Sequence, residues 1–183
     1  MKVVGLDLAG KPVNDSGFCV LSVEGESKHV LVKVLHSDEE IINELEHIKP
    51  ELTAVDAPLI YSGKNRKCDV DLSSYGALPV TLRGMEVLAL RGAHLALELK
   101  DSGFDLIEVH AAACAKILGY YDRDEKKVQK SLLESGLKGD IEKRFLSRDE
   151  LDAVFSALTA FLHLKKSTRQ VGDEEGVIVV PGV

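Results

Sequence analysis

Three strand-like runs precede the first helix, and that order constrains the fold of this chain more than any other feature. Residues 2–8 (Lys-Val-Val-Gly-Leu-Asp-Leu), 17–24 and 28–35 are rich in apolar and β-branched residues, and a turn through Ala9-Gly10-Lys11-Pro12 follows the first. Only Gly25-Glu26-Ser27 separates the second run from the third. A link that short makes them an antiparallel hairpin. Ser37 then caps a helix, with Glu40 at the capping-box position, and Ile41, Ile42, Leu45 and Ile48 form its apolar face until Pro50 ends it. Leu52-Thr53-Ala54-Val55-Asp56 is a short buried strand. Three antiparallel strands, a helix and a crossover strand give the signature β-β-β-α-β.

The remainder predicts an α/β domain. Residues 58–82 have little periodicity and carry Gly63, Gly76 and Pro79; a long irregular insertion inside a compact domain is often functional. A helix over 84–100, a fifth strand over 104–109 and a small-residue helix over 111–118 follow. Residues 123–145 read as two short helices broken at Gly136 and Gly139. Ser147, with Glu150 at capping-box spacing, starts the last long helix, and the tail 176–181 offers a short edge strand. With no internal repeat and no linker, residues 1–183 are expected to form a single domain with a mixed five-stranded sheet and helices on both faces.

Composition removes several classes. The 183 residues suffice to bury roughly 70 % of their unfolded surface, so no disulfide or structural metal is needed for a core. Cys19, Cys68 and Cys114 are odd in number and form no C-x-x-C pair, which excludes a zinc ribbon and fits a reducing cytoplasm. No apolar run approaches a membrane span, and the first apolar stretch is too short for a signal peptide. Thirty acids against twenty-three bases give a net charge of −7, unlike a sequence-independent nucleic-acid coat. Residues 111–148 are nevertheless locally basic at +3. That stretch is either a platform for a phosphate backbone or a pair of solvated lysine-rich helices.

The acids carry the chemistry. Asp7, Asp56 and Glu108 each end an otherwise apolar strand, and side chains at strand ends of open α/β sheets tend to face the ligand crevice. Asp149-x-x-Asp152 places two more carboxylates on one side of the first turn of the last helix. Taken singly, each acid has a structural role open to it: an Asx-turn for Asp7, a first-turn dipole contact for Asp149, a loop hydrogen bond for Glu108. Taken together, a bound cation is the most economical partner for them.

That arrangement resembles the ribonuclease H-like fold, and its helix pair is most similar to that of the Holliday-junction resolvases. Over nearly its full length the chain also resembles an archaeal and bacterial family of unknown function described as predicted nucleases of this fold. The matching pieces are Gly5-Leu6-Asp7-Leu8-Ala9-Gly10, Val55-Asp56-Ala57-Pro58-Leu59, Arg66-x-Cys68-Asp69, Glu108-Val109-His110-x-Ala112-Ala113, Asp149-x-x-Asp152-Ala153-x-x-x-Ala157-x-x-Ala160 and Glu175-Gly176-x-Ile178-Val179-x-Pro181. One departure is Ala111, where members of the family usually carry Pro. The resemblance implies phosphodiester hydrolysis of DNA or RNA by two Mg²⁺ or Mn²⁺ ions held ~3.5–4 Å apart by carboxylates. It assigns Asp7, Asp56, Glu108, Asp149 and Asp152 to catalysis, with Asp7, Asp56, Asp149 and Asp152 as metal ligands, and admits a homodimer. Alternatives of the same fold are a Mg²⁺-dependent nucleotide-binding or nucleotide-hydrolysing protein and a non-catalytic interaction domain.

Several basic residues are candidates for substrate contact. Arg66, with Asp69 orienting it, either clamps a phosphate or pairs internally with Asp69. Lys11 and Arg83 are further phosphate-contact candidates, whereas Arg91 is expected at the surface. His110 either shuttles protons or bonds to backbone. No cysteine has a paired base, which argues against thiol catalysis. With aromatics at 5 % and no Trp, stacking platforms for single strands are few.

Overall fold

The computed structural model describes residues 1–182. Strands β1 (Lys2–Asp7), β2 (Ser16–Glu24) and β3 (Ser27–Leu35) form the antiparallel meander. Gly25, with φ of 58°, occupies the first position of the two-residue turn between β2 and β3, where only glycine fits without strain. Helix α1 (Asp38–Ile48) starts at the Ser37–Glu40 capping box, and β4 (Thr53–Asp56) returns parallel to β1. After α2 (Lys67–Asp71), a 3-10 turn (Ser73–Tyr75) and α3 (Arg83–Asp101), β5 (Leu106–Glu108) adds parallel to β4. Next come α4 (Ala111–Ile117), α5 (Glu125–Glu134), β6 (Leu137–Gly139) and α6 (Asp140–Lys143). Last are α7 (Arg148–Leu164), β7 (Thr168–Asp173) and β8 (Gly176–Pro181).

The α/β class with a mixed sheet stands, but the sheet has six strands, in the order β5-β4-β1-β2-β3-β6, rather than five. The sixth lies in the stretch expected to be two helices. Gly136 and Gly139 both take positive φ, so the chain leaves α5 and runs three residues parallel to β3. A Cβ at Gly139 would meet the Val30 carbonyl oxygen at 2.2 Å, so glycine is what lets this edge strand approach. The tail does not extend the sheet as an edge strand. It pairs antiparallel with β7 in a separate hairpin that touches the sheet edge through one bridge, Val109 to Val179. The stretch 58–82 is less irregular than expected, since α2 and the 3-10 turn lie within it.

Two apolar layers cover the sheet. Val4, Leu6 and Leu8 pack with α1 and α3 through Ile41, Leu45, Leu95 and Leu99. The other face, with Val3, Cys19, Leu21 and Ala54, packs on α4 and α7 through Cys114, Ala153, Phe155 and Ala157. The period-2 alternation therefore gives Gly5 and Asp7 to the α7 face. Arg91 is buried rather than exposed. Its guanidinium donates to Asp38 at 2.9 Å and to the carbonyls of Ala9 and His36, both at 2.6 Å. Three segments that would otherwise leave polar groups unpaired thereby share one cation.

Candidate functional site

Asp7 and Asp56 are register partners on the parallel strands β1 and β4. Partners in register send their side chains to the same face, which here is the face covered by α7. That helix lies unusually close to the sheet. A Cβ at Gly5 would stand 2.1 Å from the Ala153 oxygen and 2.2 Å from the Ala157 nitrogen; one at Gly17 would stand 1.9 Å from the Asp149 oxygen. The two strand glycines thus admit the helix backbone and bring its first turn, with Asp149 and Asp152, to the ends of β1 and β4.

The electrostatics follow from this crowding. Burial pushes the Asp7 carboxyl well above the ordinary carboxylate range, and the charges of Asp56, Asp152 and Asp149 push it further. Asp152 is pushed up to about 7, first by burial and then by Asp56, with Arg148 opposing. No hydrogen bond offsets either shift. Asp56 is raised by burial, while His110 and a hydrogen bond from the Ala111 backbone N–H at 3.0 Å hold it down. Asp149 is raised by burial and by the charges of Asp15, Glu150 and Glu125. It shares an open recess with Asp7, Gly10, Asn14 and Asp15, whereas Asp56 lines a separate cavity of about 240 Å³; Asp7 borders both.

Glu108 borders the same cavity as Asp7 and Asp56 but is already engaged by other partners. Its register partner is Val55, so it leaves the sheet with the parity opposite to Asp56. It accepts hydrogen bonds from the Leu59 N–H at 2.8 Å and from Arg66 Nη1 at 2.9 Å. Arg66 is 2 % exposed and also donates Nε and Nη2 to Asp69, at 3.0 and 2.7 Å. Of the two readings of Arg66, the internal pair is the one that forms. A guanidinium spent on two buried carboxylates is not free to clamp a phosphate from solvent. Lys11 and Arg83 are exposed, on the β1–β2 turn and at the start of α3, and the structure gives neither a side-chain partner among the described residues. His110 precedes α4, and its Nδ1 is buried without a hydrogen-bond partner rather than bonded to backbone.

The donors suit a hard divalent cation, because all are carboxylate oxygens and their mutual repulsion is what such a cation relieves. Among the described residues, however, no three His, Cys, Asp or Glu side chains already converge as a ready-made cation cage. Three contributions escaped the sequence reading: the strand glycines Gly5 and Gly17, the Arg91 anchor, and the Ala111 N–H. Only the glycines left a signal, since a glycine inside a strand often marks a close approach by another backbone.

No protein-family model and no curated protein matches the chain. Among solved structures it is similar to that of RuvC from Thermus thermophilus, with a TM-score of 0.57 and 17 % identity over 94 % of this chain and 99 % of that one. The fold is therefore ribonuclease H-like, as the order of acids and strands implied. No helix is long and apolar enough to cross a membrane among the described residues.

Proposed function

We propose that the chain is a metal-dependent nuclease that hydrolyses phosphodiester bonds of DNA or RNA, with Asp7, Asp56, Asp149 and Asp152 holding Mg²⁺ or Mn²⁺. The observation that carries this reading is the pairing of Asp7 with Asp56 under the first turn of α7, where buried carboxylates repel one another with little internal compensation. Proteins rarely keep such charges together without a partner. The resemblance to Holliday-junction resolvases in the sequence and the fold shared with RuvC support the same reading.

The chain's own residues divide the work. Asp7 and Asp56, on strands, provide the rigid half of the site; Asp149 and Asp152, in a helix's first turn, provide the adjustable half. Asp149 borders the open recess and is the acid best placed to meet solvent and a strand backbone. The bound ions would supply Lewis-acid activation of a water and charge relief at the leaving oxygen. Glu108, Arg66 and Asp69 act one step removed, by fixing the loop that walls the site. The exposed lysines of α5, beside the start of α7, are the platform for flanking phosphates.

The test is a Mn²⁺-dependent cleavage screen over duplex, hybrid, single-stranded and branched polynucleotides, with Asp7→Asn as control. Cleavage of at least one class that Asp7→Asn abolishes is expected. Absence of cleavage in every class, or activity equal in Asp7→Asn, removes the nuclease reading.

A further inference from the structure

The cavity beside Asp7 and Asp56 has a character of its own. Much of its wall is apolar, with Pro58, Ala77, Leu78, Met85 and Leu88 from the loop after β4 and from α3. Its polar lining comes from Asp7 and Asp56 at one end, from the Arg66–Asp69–Glu108 cluster and from His110. At about 240 Å³ it falls below the ~300–1,000 Å³ of pockets that enclose whole drug-sized ligands. It is also roomier than an ion with a few waters requires. One ring system fits such a space, and a sugar-phosphate does not suit it, because the walls are aliphatic and the neighbouring carboxylates repel anions.

His110 supplies an independent pointer. Its Nδ1 is buried, lacks any hydrogen-bond partner and belongs to a ring that lines this cavity. A buried unpaired ring nitrogen costs ~1–3 kcal/mol, which a ligand carrying a polar edge would recover. A flat heterocycle with apolar faces and a hydrogen-bonding rim meets all these conditions. Leu88 and Met85 can lie against its faces, Met85 being soft and adaptable.

We propose that this cavity receives one unpaired nucleobase of the polynucleotide whose backbone lies at Asp7 and Asp56. The inference rests on the nuclease reading and narrows its substrate to strands in which a base is free to leave the stack. Such bases occur in single strands, at mismatches and at branch points. Extrusion from an intact duplex costs a few kcal/mol, and that cost is lowest where pairing is already lost.

The experiment measures Mg²⁺-supported binding of AMP and UMP against ribose 5-phosphate by calorimetry. Both nucleotides should bind at least tenfold tighter than ribose 5-phosphate. Leu78→Trp, at a half-exposed position on the rim, and Met85→Trp should each erase that advantage while leaving the Mg²⁺-induced rise in melting temperature unchanged. In the wild-type chain, which carries no folding risk, the His110 ring resonances should move with AMP and UMP and stay still with ribose 5-phosphate. Equal binding of all three compounds, an advantage that survives both tryptophans, or a silent His110 overturns the proposal. Failure here with Mn²⁺-dependent cleavage intact removes the base pocket alone. Base binding with no polynucleotide cleaved removes the nuclease reading alone.

Discussion

Gly5 lies against the backbone nitrogen of Ala157 so closely that a Cβ on it would stand 2.2 Å away. No side chain can give way there, because the obstacle is helix backbone. Gly5→Ala should therefore shift α7 off β1, destabilise the fold by about 1–3 kcal/mol as overpacked cores do, and weaken the Mg²⁺-induced rise in melting temperature as Asp152 moves away from Asp7. Thermal melts with and without Mg²⁺ check this. A Gly5→Ala protein that melts and responds like wild type would mean that α7 is not held at this distance.

Burial and then the charges of Asp56, Asp152 and Asp149 all disfavour an ionised Asp7. Removing its charge should stabilise the metal-free protein, raising its melting temperature by about 3–6 °C if ~1.5 kcal/mol is relieved at ~2–4 °C per kcal/mol for a chain of this size. The response of Asp7→Asn to Mn²⁺ should shrink, because ligand-linked stabilisation follows affinity for the folded state. Loss of stability with an intact metal response would instead identify Asp7 as a structural turn residue.

Asp152, pushed up to about 7, makes stability depend on pH. Its folded-state pKa lies above its unfolded value, so between the two the folded chain holds the extra proton. Stability without metal should thus be greatest on the acidic side and fall as pH rises through the interval from ~4 to ~7. Melting temperatures across that range should decline in EDTA, decline less in Mg²⁺, and flatten in Asp152→Asn. A metal-free profile that rises with pH in this window contradicts the repulsive site.

Ala111 donates its backbone N–H to Asp56 at 3.0 Å, a bond that proline cannot make. Position 111 is the first residue of α4, where proline's fixed φ is acceptable, so Ala111→Pro removes the bond without breaking the helix. The Asp56 pKa should rise in a carboxyl NMR titration, with a loss of about 1.5–3 kcal/mol at neutral pH, typical for a hydrogen bond to a charged group. An unchanged Asp56 titration would show that the bond has no hold on its charge.

Lys126 and Lys127 stand on α5 next to the start of α7, and Lys130 one turn on; their intrahelical and local ion pairs, at 3.6 and 3.8 Å, are exposed and weak. Neutralising all three should lower polynucleotide affinity and flatten its dependence on salt by roughly 2–3 in log–log slope, at ~0.9 per phosphate released. Binding of Mg²⁺ at Asp7 should not change. If affinity and slope survive while a mononucleotide competes tightly, the nucleotide-binding alternative replaces the nuclease.

How much of this was legible in the sequence depends on whether the cause was local. Capping residues, hairpin length and period-2 alternation are local, and they placed β1 to β4, α1 and α7 within a residue or two. Asp7 and Asp56 were legible because an acid that ends an apolar strand is costly to bury without a partner, and the neighbouring residues offer none. The Arg66–Glu108 bond and the Arg91 anchor were not, because those partners are 42 to 82 residues away and only a folded chain shows whether a charge is spent inside. The sixth strand was hidden for a related reason. A three-residue strand that follows one glycine and ends in another carries no periodicity, and β3 decides its conformation.

The close seating of α7 on β1 also has a temporal side. Asp7 is synthesised well before Asp152, 145 positions earlier in the chain, so bringing the two together closes a long loop. A chain rich in such distant pairings forms them late, after the local hairpin and helices. Until α7 docks, Asp7 and Asp56 remain two solvated carboxylates with no reason to gather a cation. On the proposed nuclease reading, the site is assembled only once the last long helix is in place.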